Sequence, residues 1–145
     1  MAHLCKFAVV TCEDFRLHQR KYGGNIIGRF IQSLGEDCDL ITRGGCIQDL
    51  VRPKPGFADS LFRDLEVSVK LHHAEKIYVI GHEDCGAYGH FQFAAREVEL
   101  AQHFEDLKAA KQLIEARFPG VTVVRCFAYL QAGTSDRFDI KEVTD

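Results

Sequence analysis

The sequence lacks the features that mark several common classes of protein. No apolar run approaches membrane-spanning length, and the first five residues do not form a signal-peptide pattern, so we expect a cytoplasmic protein without a membrane partner. The net charge of −3 argues against nucleic-acid binding, which needs a clustered basic face. A C-x-x-C motif is also absent, which leaves a thioredoxin-like redox function without support.

The composition indicates one globular domain. The chain has 145 residues, and 46% of them are hydrophobic, which is enough for a substantial core. Because it contains no internal repeat, low-complexity tract or interdomain linker, residues 1–145 are predicted to form a single domain. In a cytosolic chain of this length, the six cysteines favour metal binding or buried thiols over disulfides.

Four short apolar runs predict β-strands, at residues 7–11, 38–42, 76–80 and 121–129. Helical patterns separate these runs, which favours an α/β fold with a mostly parallel central sheet flanked by helices. If the first and third strands are neighbours, the strand order is 2-1-3-4. The polar tail after Gly133 predicts either an extra edge strand or a frayed end.

The helices between the strands carry recognisable end signals. Asn25 is a suitable N-cap for the first helix, and Gly35 can end it. Asp59 or Ser60 is predicted to cap the second. The third runs from about residue 92 to 118, with an apolar stripe of Leu107, Ala110, Leu113, Ile114 and Phe118. Its acidic residues are predicted to form a solvated face: Glu97, Glu99, Glu105 and Asp106.

Metal-ligating side chains follow two of the predicted strands. Cys12 comes directly after the first strand, and His82 and Cys85 come just after the third. In open parallel sheets, ligands bind beyond the carboxyl ends of the strands, so neighbouring strand ends would bring these residues together. Thiolate sulfur and imidazole nitrogen are the ligands that zinc prefers. The sequence therefore predicts a zinc site with three protein ligands and one open position, as in catalytic zinc sites.

An acidic and a basic residue follow the first ligand. Asp14 is close enough to Cys12 either to fill the open zinc position or to hydrogen-bond its occupant. Arg16 can hold that carboxylate away from the metal through a bidentate pair. We therefore hypothesise that Asp14 and Arg16 control a zinc that generates a hydroxide nucleophile. Because two thiolates cancel the charge of the ion, we expect activity to favour alkaline pH.

Together these residues resemble the zinc-site signature of the β-class carbonic anhydrases. The likeness rests on C-x-D-x-R beginning at Cys12 and G-H-x-D-C-G beginning at Gly81, and it spans most of the chain. It implies one carbonic-anhydrase-like domain that binds Zn²⁺ through Cys12, His82 and Cys85 and uses Asp14 and Arg16 as a catalytic dyad. It also implies reversible hydration of carbon dioxide to bicarbonate and a homodimer or higher homo-oligomer.

Three features differ from the common pattern of that family. Phe15 stands where the family usually has serine, and the turn from Thr42 to Cys46 reads T-R-G-G-C where R-N-A-G-N is commoner. Only 11 residues precede Cys12, so we expect no room for the N-terminal helices that typically embrace the partner subunit. The resemblance thus implies a short, divergent member.

Two other functions remain open. The same scaffold can serve a hydrolase of a small electrophile such as carbon disulfide or carbonyl sulfide. Alternatively, the zinc site could serve folding or sensing without catalysis. We expect His18 and His90 to be solvent-exposed bystanders, although a histidine pKa would suit a proton relay. The other four cysteines are expected to be structural thiols: Cys5, Cys38, Cys46 and Cys126.

Overall fold

The computed structural model describes residues 3–145. Residues 1 and 2 lie outside the described residues, so the structure does not bear on the signal-peptide prediction there. The strands are β1 (Phe7–Cys12), β2 (Gln19–Arg20), β3 (Gly23–Gly24), β4 (Cys38–Arg43), β5 (Lys76–His82), β6 (Thr122–Leu130) and β7 (Phe138–Glu142). The α-helices are α1 (Ile26–Leu34), α2 (Gln48–Val51), α3 (Phe57–Glu66) and α4 (Arg96–Arg117).

The central sheet has five strands in the order β4-β1-β5-β6-β7. The four predicted strands are β1, β4, β5 and β6, so the predicted order 2-1-3-4 is confirmed, and all three of their pairings are parallel. The polar tail forms the edge strand β7, which pairs antiparallel with β6. The short strands β2 and β3 form a separate hairpin.

The side chains of the central strands pack alternately into two cores, one on each face of the sheet. Ala8 and Val10 of β1 join one core, with Leu61 of α3 and Leu107 of α4. Val9 of β1 joins the other core, with residues of α1 and β7. This arrangement is an α/β fold in which a mostly parallel sheet is covered by helices, as the sequence predicts.

The first helix has the predicted ends. The side chain of Asn25 accepts a hydrogen bond from the backbone N–H of Gly28, and Gly35 ends α1 with a φ of 71°. The prediction for the second helix is wrong, because α3 begins at Phe57 and not after Asp59 or Ser60. Gly56 precedes it with a φ of 83°, a conformation that glycine adopts readily, so the turn after the prolines leads directly into the helix.

The longest helix differs from its prediction at the start and on one face. It begins at Arg96, because residues 86–91 form a separate 3₁₀ segment and Gln92 has a φ of 49°. Asp106 was predicted to be solvated but is only 3% exposed. Leu113, predicted in the apolar stripe, is 42% exposed. Within residues 3–145, no helix combines the length and apolarity needed to cross a membrane.

Candidate metal centre

Two adjacent strands deliver the three candidate ligands to one edge of the sheet. β1 ends at Cys12, and β5, its parallel neighbour, ends at His82. Because both strands run in the same direction, their last residues lie at the same carboxyl edge. Asp84 then adopts a φ of 58°, a left-handed conformation that turns the chain before Cys85.

The three side chains form a compact and buried cluster. Their donor atoms all lie within 4.8 Å of one another, and the sulfur atoms of Cys12 and Cys85 are 3.9 Å apart. Their exposed fractions are only 4% for Cys12, 1% for His82 and 6% for Cys85. In the described part of the chain, this is the one group of three or more such side chains close enough to share an ion.

The imidazole of His82 is oriented as a metal ligand requires. Its Nδ1 lies 2.8 Å from the backbone oxygen of Glu83, which can accept a hydrogen bond only from a protonated Nδ1. That tautomer leaves a lone pair on Nε2, which is buried and has no hydrogen-bond partner among residues 3–145. A buried acceptor without a partner is costly, and a metal cation at this position would satisfy it.

The two thiols titrate as a pair. A hydrogen bond from Cys85 is the main cause that lowers the pKa of Cys12, and the neighbouring His82 adds to it against the effect of burial. The same hydrogen bond, together with burial, raises the pKa of Cys85. The pair therefore gives up one proton readily and holds the second. A divalent cation would replace both protons, so the donor set fits zinc.

Asp14 lies beside this cluster and accepts hydrogen bonds from Arg16. The guanidinium donates from Nε to Oδ1 at 3.0 Å and from Nη2 to Oδ2 at 2.8 Å, which is a bidentate pair. Oδ2 of Asp14 lies 3.8 Å from Nε2 of His82. Burial alone would raise the pKa of Asp14, but the hydrogen bonds from Arg16 outweigh it and keep the pKa below its ordinary value.

Arg16 is itself fixed on every side. Besides its bonds to Asp14, it donates from Nη1 to a carboxylate oxygen of Asp84 and to the backbone oxygen of Ser135. Its Nη2 also donates to the backbone oxygen of Asp84. A guanidinium has five N–H groups, and these contacts use all of them. Arg16 therefore anchors Asp14 rigidly and links it to the loop that carries Cys85.

A small cavity of about 10 Å³ adjoins the cluster. This is close to the space that one water molecule needs. Apart from the three candidate ligands, its walls are glycine backbone, aliphatic side chains and two aromatic rings: Gly45, Cys46, Ile47, Gly81, Tyr88, His103 and Leu107. The mostly apolar wall suits a very small and weakly polar molecule.

The sequence analysis missed the polar network behind this cavity. The hydroxyl of Tyr88 donates to Asp106 at 2.6 Å, and Arg52 donates to both carboxylate oxygens of Asp106. Gln102 donates to the same carboxylate. Burial alone would raise the pKa of Asp106, but these hydrogen bonds together hold it below its ordinary value. The network ties α4 and the end of α2 to the loop that follows Cys85.

His103 was also missed. Its ring lies 4.1 Å from that of Tyr88, and burial lowers its pKa to about 4, so it is neutral at physiological pH. Helical spacing contained the signal for both missed residues. His103 lies four positions before Leu107 and Asp106 four positions before Ala110, so both lie on the buried face of α4.

The two histidines considered as proton relays differ in their surroundings. Nε2 of His18 is 2.8 Å from the backbone oxygen of Cys12, which makes it a contact of a candidate ligand, whereas His90 is exposed and contacts the backbone of Ala87. The expectation of a solvent-exposed bystander therefore holds for His90 only. His18 is half-buried.

Comparison with known proteins shows the family to which the chain belongs. Residues 2–136 match the sequence profile of the family described as "Putative carbonic anhydrase". The chain belongs to this family. An uncharacterized protein of Rickettsia conorii is 27% identical over 122 residues, which is 79% of this chain. The chain spans 62% of the length of that relative.

Two solved structures share the fold at low sequence identity. A carbonic anhydrase from Streptococcus mutans is 18% identical, with a TM-score of 0.59 over 99% of this chain and 84% of that chain. The apo form of a carbon disulfide hydrolase is 15% identical, with a TM-score of 0.54 over 96% of this chain and 79% of that chain. At these identities the comparison supports a carbonic-anhydrase-like fold, and the two proteins differ in substrate.

Proposed function

We propose that this protein catalyses the zinc-dependent, reversible hydration of carbon dioxide to bicarbonate. The observation that carries the proposal is the buried cluster of Cys12, His82 and Cys85, with the carboxylate of Asp14 3.8 Å from Nε2 of His82. Membership of the carbonic anhydrase family supports the same reaction. We assign the three clustered residues as zinc ligands and Asp14 and Arg16 as the dyad beside them.

A zinc ion held by these ligands would acidify a water molecule and so supply a hydroxide nucleophile, and the two thiolates would shift this toward alkaline pH. The remaining work falls to the side chains of this chain. Asp14, held as a carboxylate by Arg16, can accept a hydrogen bond from a water or a hydroxyl group beside the cluster. Since Arg16 has no donor left for a ligand, its role is to position Asp14.

The walls around the cluster define the size of the substrate. The cavity is small, and its lining beyond the donor atoms is mainly aliphatic or aromatic. A linear triatomic molecule without a net dipole suits such a lining better than an ester or a phosphate group. The site therefore favours carbon dioxide over larger or more polar substrates. Related small molecules that contain sulfur fit the same lining.

A hydrolase of carbon disulfide or carbonyl sulfide is the second candidate function. It is favoured by the shared fold with a carbon disulfide hydrolase and by the apolar character of the cavity. A zinc site that serves folding or sensing alone is the third. All three candidate functions use the same metal centre. They differ in which substrate, if any, is turned over.

The test uses the zinc-loaded full chain in stopped-flow assays of carbon dioxide hydration between pH 7 and 9. The proposal expects turnover that rises toward alkaline pH, together with about one zinc per chain. Release of hydrogen sulfide from carbon disulfide or carbonyl sulfide, without hydration of carbon dioxide, would establish the second function. Bound zinc without turnover of any of the three substrates would contradict an enzymatic function and support the non-catalytic zinc site.

We also propose that the protein assembles as a homodimer or a larger homo-oligomer. β4 is an edge strand of the sheet, and it exposes 47% of Leu40. An unpaired edge with an exposed aliphatic residue is a surface that proteins usually cover. Sedimentation velocity at micromolar concentration should show a dimer or larger species, and a stable monomer would oppose the proposal.

A further inference from the structure

A second and larger pocket lies beside the dyad but contains none of the candidate zinc ligands in its lining. It is bounded by the β2–β3 hairpin, the start of α1 and the segment that enters β7, and its volume is about 360 Å³. Four arginines line it: Arg16, Arg20, Arg29 and Arg137. Since the whole chain carries a net charge of −3, this positive charge is concentrated locally.

Three of these arginines have donors to spare, whereas Arg16 is fully used within the fold. Arg20 donates to Asp136 at 3.0 Å. Arg29 donates from Nη1 to the backbone oxygen of Gly24 and forms no ion pair within residues 3–145. The guanidinium of Arg137 forms neither a hydrogen bond nor an ion pair with any described residue. The charges of Arg29 and Arg137 are therefore uncompensated.

Gly24 places two of the guanidinium groups at the rim. A Cβ atom at this position would lie 2.9 Å from both Cγ and Cδ of Arg20, so only glycine admits the stem of that side chain without a shift. The backbone oxygen of Gly24 accepts the hydrogen bond from Arg29. Its φ of 99° also favours glycine. Gly24 thus contacts both Arg20 and Arg29, and both side chains line the pocket.

We infer that this pocket binds a phosphate-class oxyanion, either free phosphate or the phosphate group of a small monoester. Guanidinium groups present their N–H donors in a planar fork that matches two oxygens of a phosphate at once. Three arginines around one pocket can share the three or four oxygens of such a group. The pocket volume exceeds that of a bare phosphate and lies in the lower range of small-molecule sites.

The Tyr22 side chain supports the monoester over the free anion. It lines the same pocket, and its ring is 87% exposed. An exposed aromatic ring next to a phosphate site offers a surface on which an organic substituent can pack. This binding site is separate from the zinc cluster, so the inference does not rest on the proposed enzymatic function.

The experiment is calorimetric titration of the zinc-loaded full chain with inorganic phosphate and, separately, with phenyl phosphate. Ionic strength is held constant at about 0.1 M, because salt screening weakens the attraction between exposed charges. We expect saturable binding of one anion per chain. The double variant Arg29→Gln/Arg137→Gln should weaken it by about tenfold or more, since it removes two charged donors. Both residues are exposed, so the fold should be retained, and thermal unfolding of the variant checks this.

The matched control is Arg63→Gln, which removes one exposed arginine from α3, outside the pocket. This variant should bind both probes like the unmodified protein. Absence of saturable binding at millimolar concentration would overturn the inference. Equal binding by the double variant would overturn it too, because the anion would then bind outside this pocket. Tighter binding of phenyl phosphate would identify the monoester as the ligand class, and tighter binding of inorganic phosphate would identify the free anion.

Discussion

Two pairs of cysteines lie at opposite edges of the same sheet and differ in their chemistry. At the carboxyl edge, a hydrogen bond from Cys85 lowers the pKa of Cys12. At the amino edge, burial and nearby acidic residues raise the pKa of Cys5, and burial raises that of Cys38 to about 11. The sequence gives both pairs the same residue type. The position on the sheet decides which thiol loses its proton.

The neighbours of each pair explain the difference. At the carboxyl edge, His82 and the dyad converge on the thiols because two parallel strands end there. At the amino edge, His72 lies 2.6 Å from a carboxylate oxygen of Asp39, so this imidazole is already occupied by an acidic partner. Acidic neighbours disfavour a thiolate, whereas an adjacent donor stabilises it. A metal centre is therefore expected at one edge only.

The largest expected effect comes from breaking the carboxyl-edge pair. Cys85→Ala removes one of three proposed ligands, so zinc affinity should fall by more than about 100-fold, which exceeds the usual effect of a residue that merely supports a ligand. Cys38→Ala is the matched variant at the amino edge and should retain zinc. Metal analysis after dialysis against a weak chelator measures both. Equal zinc loss in the two variants would contradict the assignment.

The next effect separates metal binding from turnover. Asp14→Ala should lower carbon dioxide hydration by about 10–100-fold and leave the zinc content close to that of the unmodified protein, because Asp14 acts beside the metal. Stopped-flow hydration and metal analysis on the same sample give both values. Asp39→Ala changes a carboxylate at the amino edge and should affect neither. Parallel loss of zinc and activity in Asp14→Ala would make Asp14 a structural ligand.

A smaller effect is expected from the network behind the cavity. Asp106→Asn keeps the shape of the side chain but removes the negative charge to which Arg52 and Tyr88 donate hydrogen bonds. The substitution should lower the free energy of unfolding by about 1–3 kcal/mol. Urea unfolding of the zinc-loaded protein measures this. Glu105→Gln is the matched control, since Glu105 is the exposed neighbour on the same helix. Indistinguishable stability of the two variants would show that the network contributes little.

The smallest effect is the pH dependence of that same network. The folded pKa of Asp106 lies below its ordinary value of 3.8, so the folded state binds fewer protons than the unfolded state in the interval between them. The stabilisation by Asp106 is therefore complete above the ordinary value and is lost as pH falls through the folded pKa. Urea unfolding should show the gap between the protein and Asp106→Asn constant from pH 5 to 7 and closing below pH 4. A gap that widens on acidification would contradict this.

Much of the candidate site could be predicted from local patterns. Cys12, His82 and Cys85 each follow the end of an apolar strand, and parallel strands bring such ends to one edge. The caps of α1 could also be predicted, because Asn25 and Gly35 each act only on the few residues beside them. The start of α3 could not be predicted as well, since the chain enters the helix from Gly56 in a left-handed conformation, before either capping candidate, Asp59 or Ser60.

The sequence by itself determined where the main strands lie, the ligand types and their spacing, because strand and turn propensities act over short stretches of chain. Only the tertiary structure decided that Arg52 and Tyr88 bind Asp106, that Arg16 has no free donor, and that three other arginines meet at one pocket. Those properties depend on which residues of α2, α4, the hairpin and β7 come into contact. Hydrogen bonds over long sequence separations are set by packing, and no local pattern encodes them.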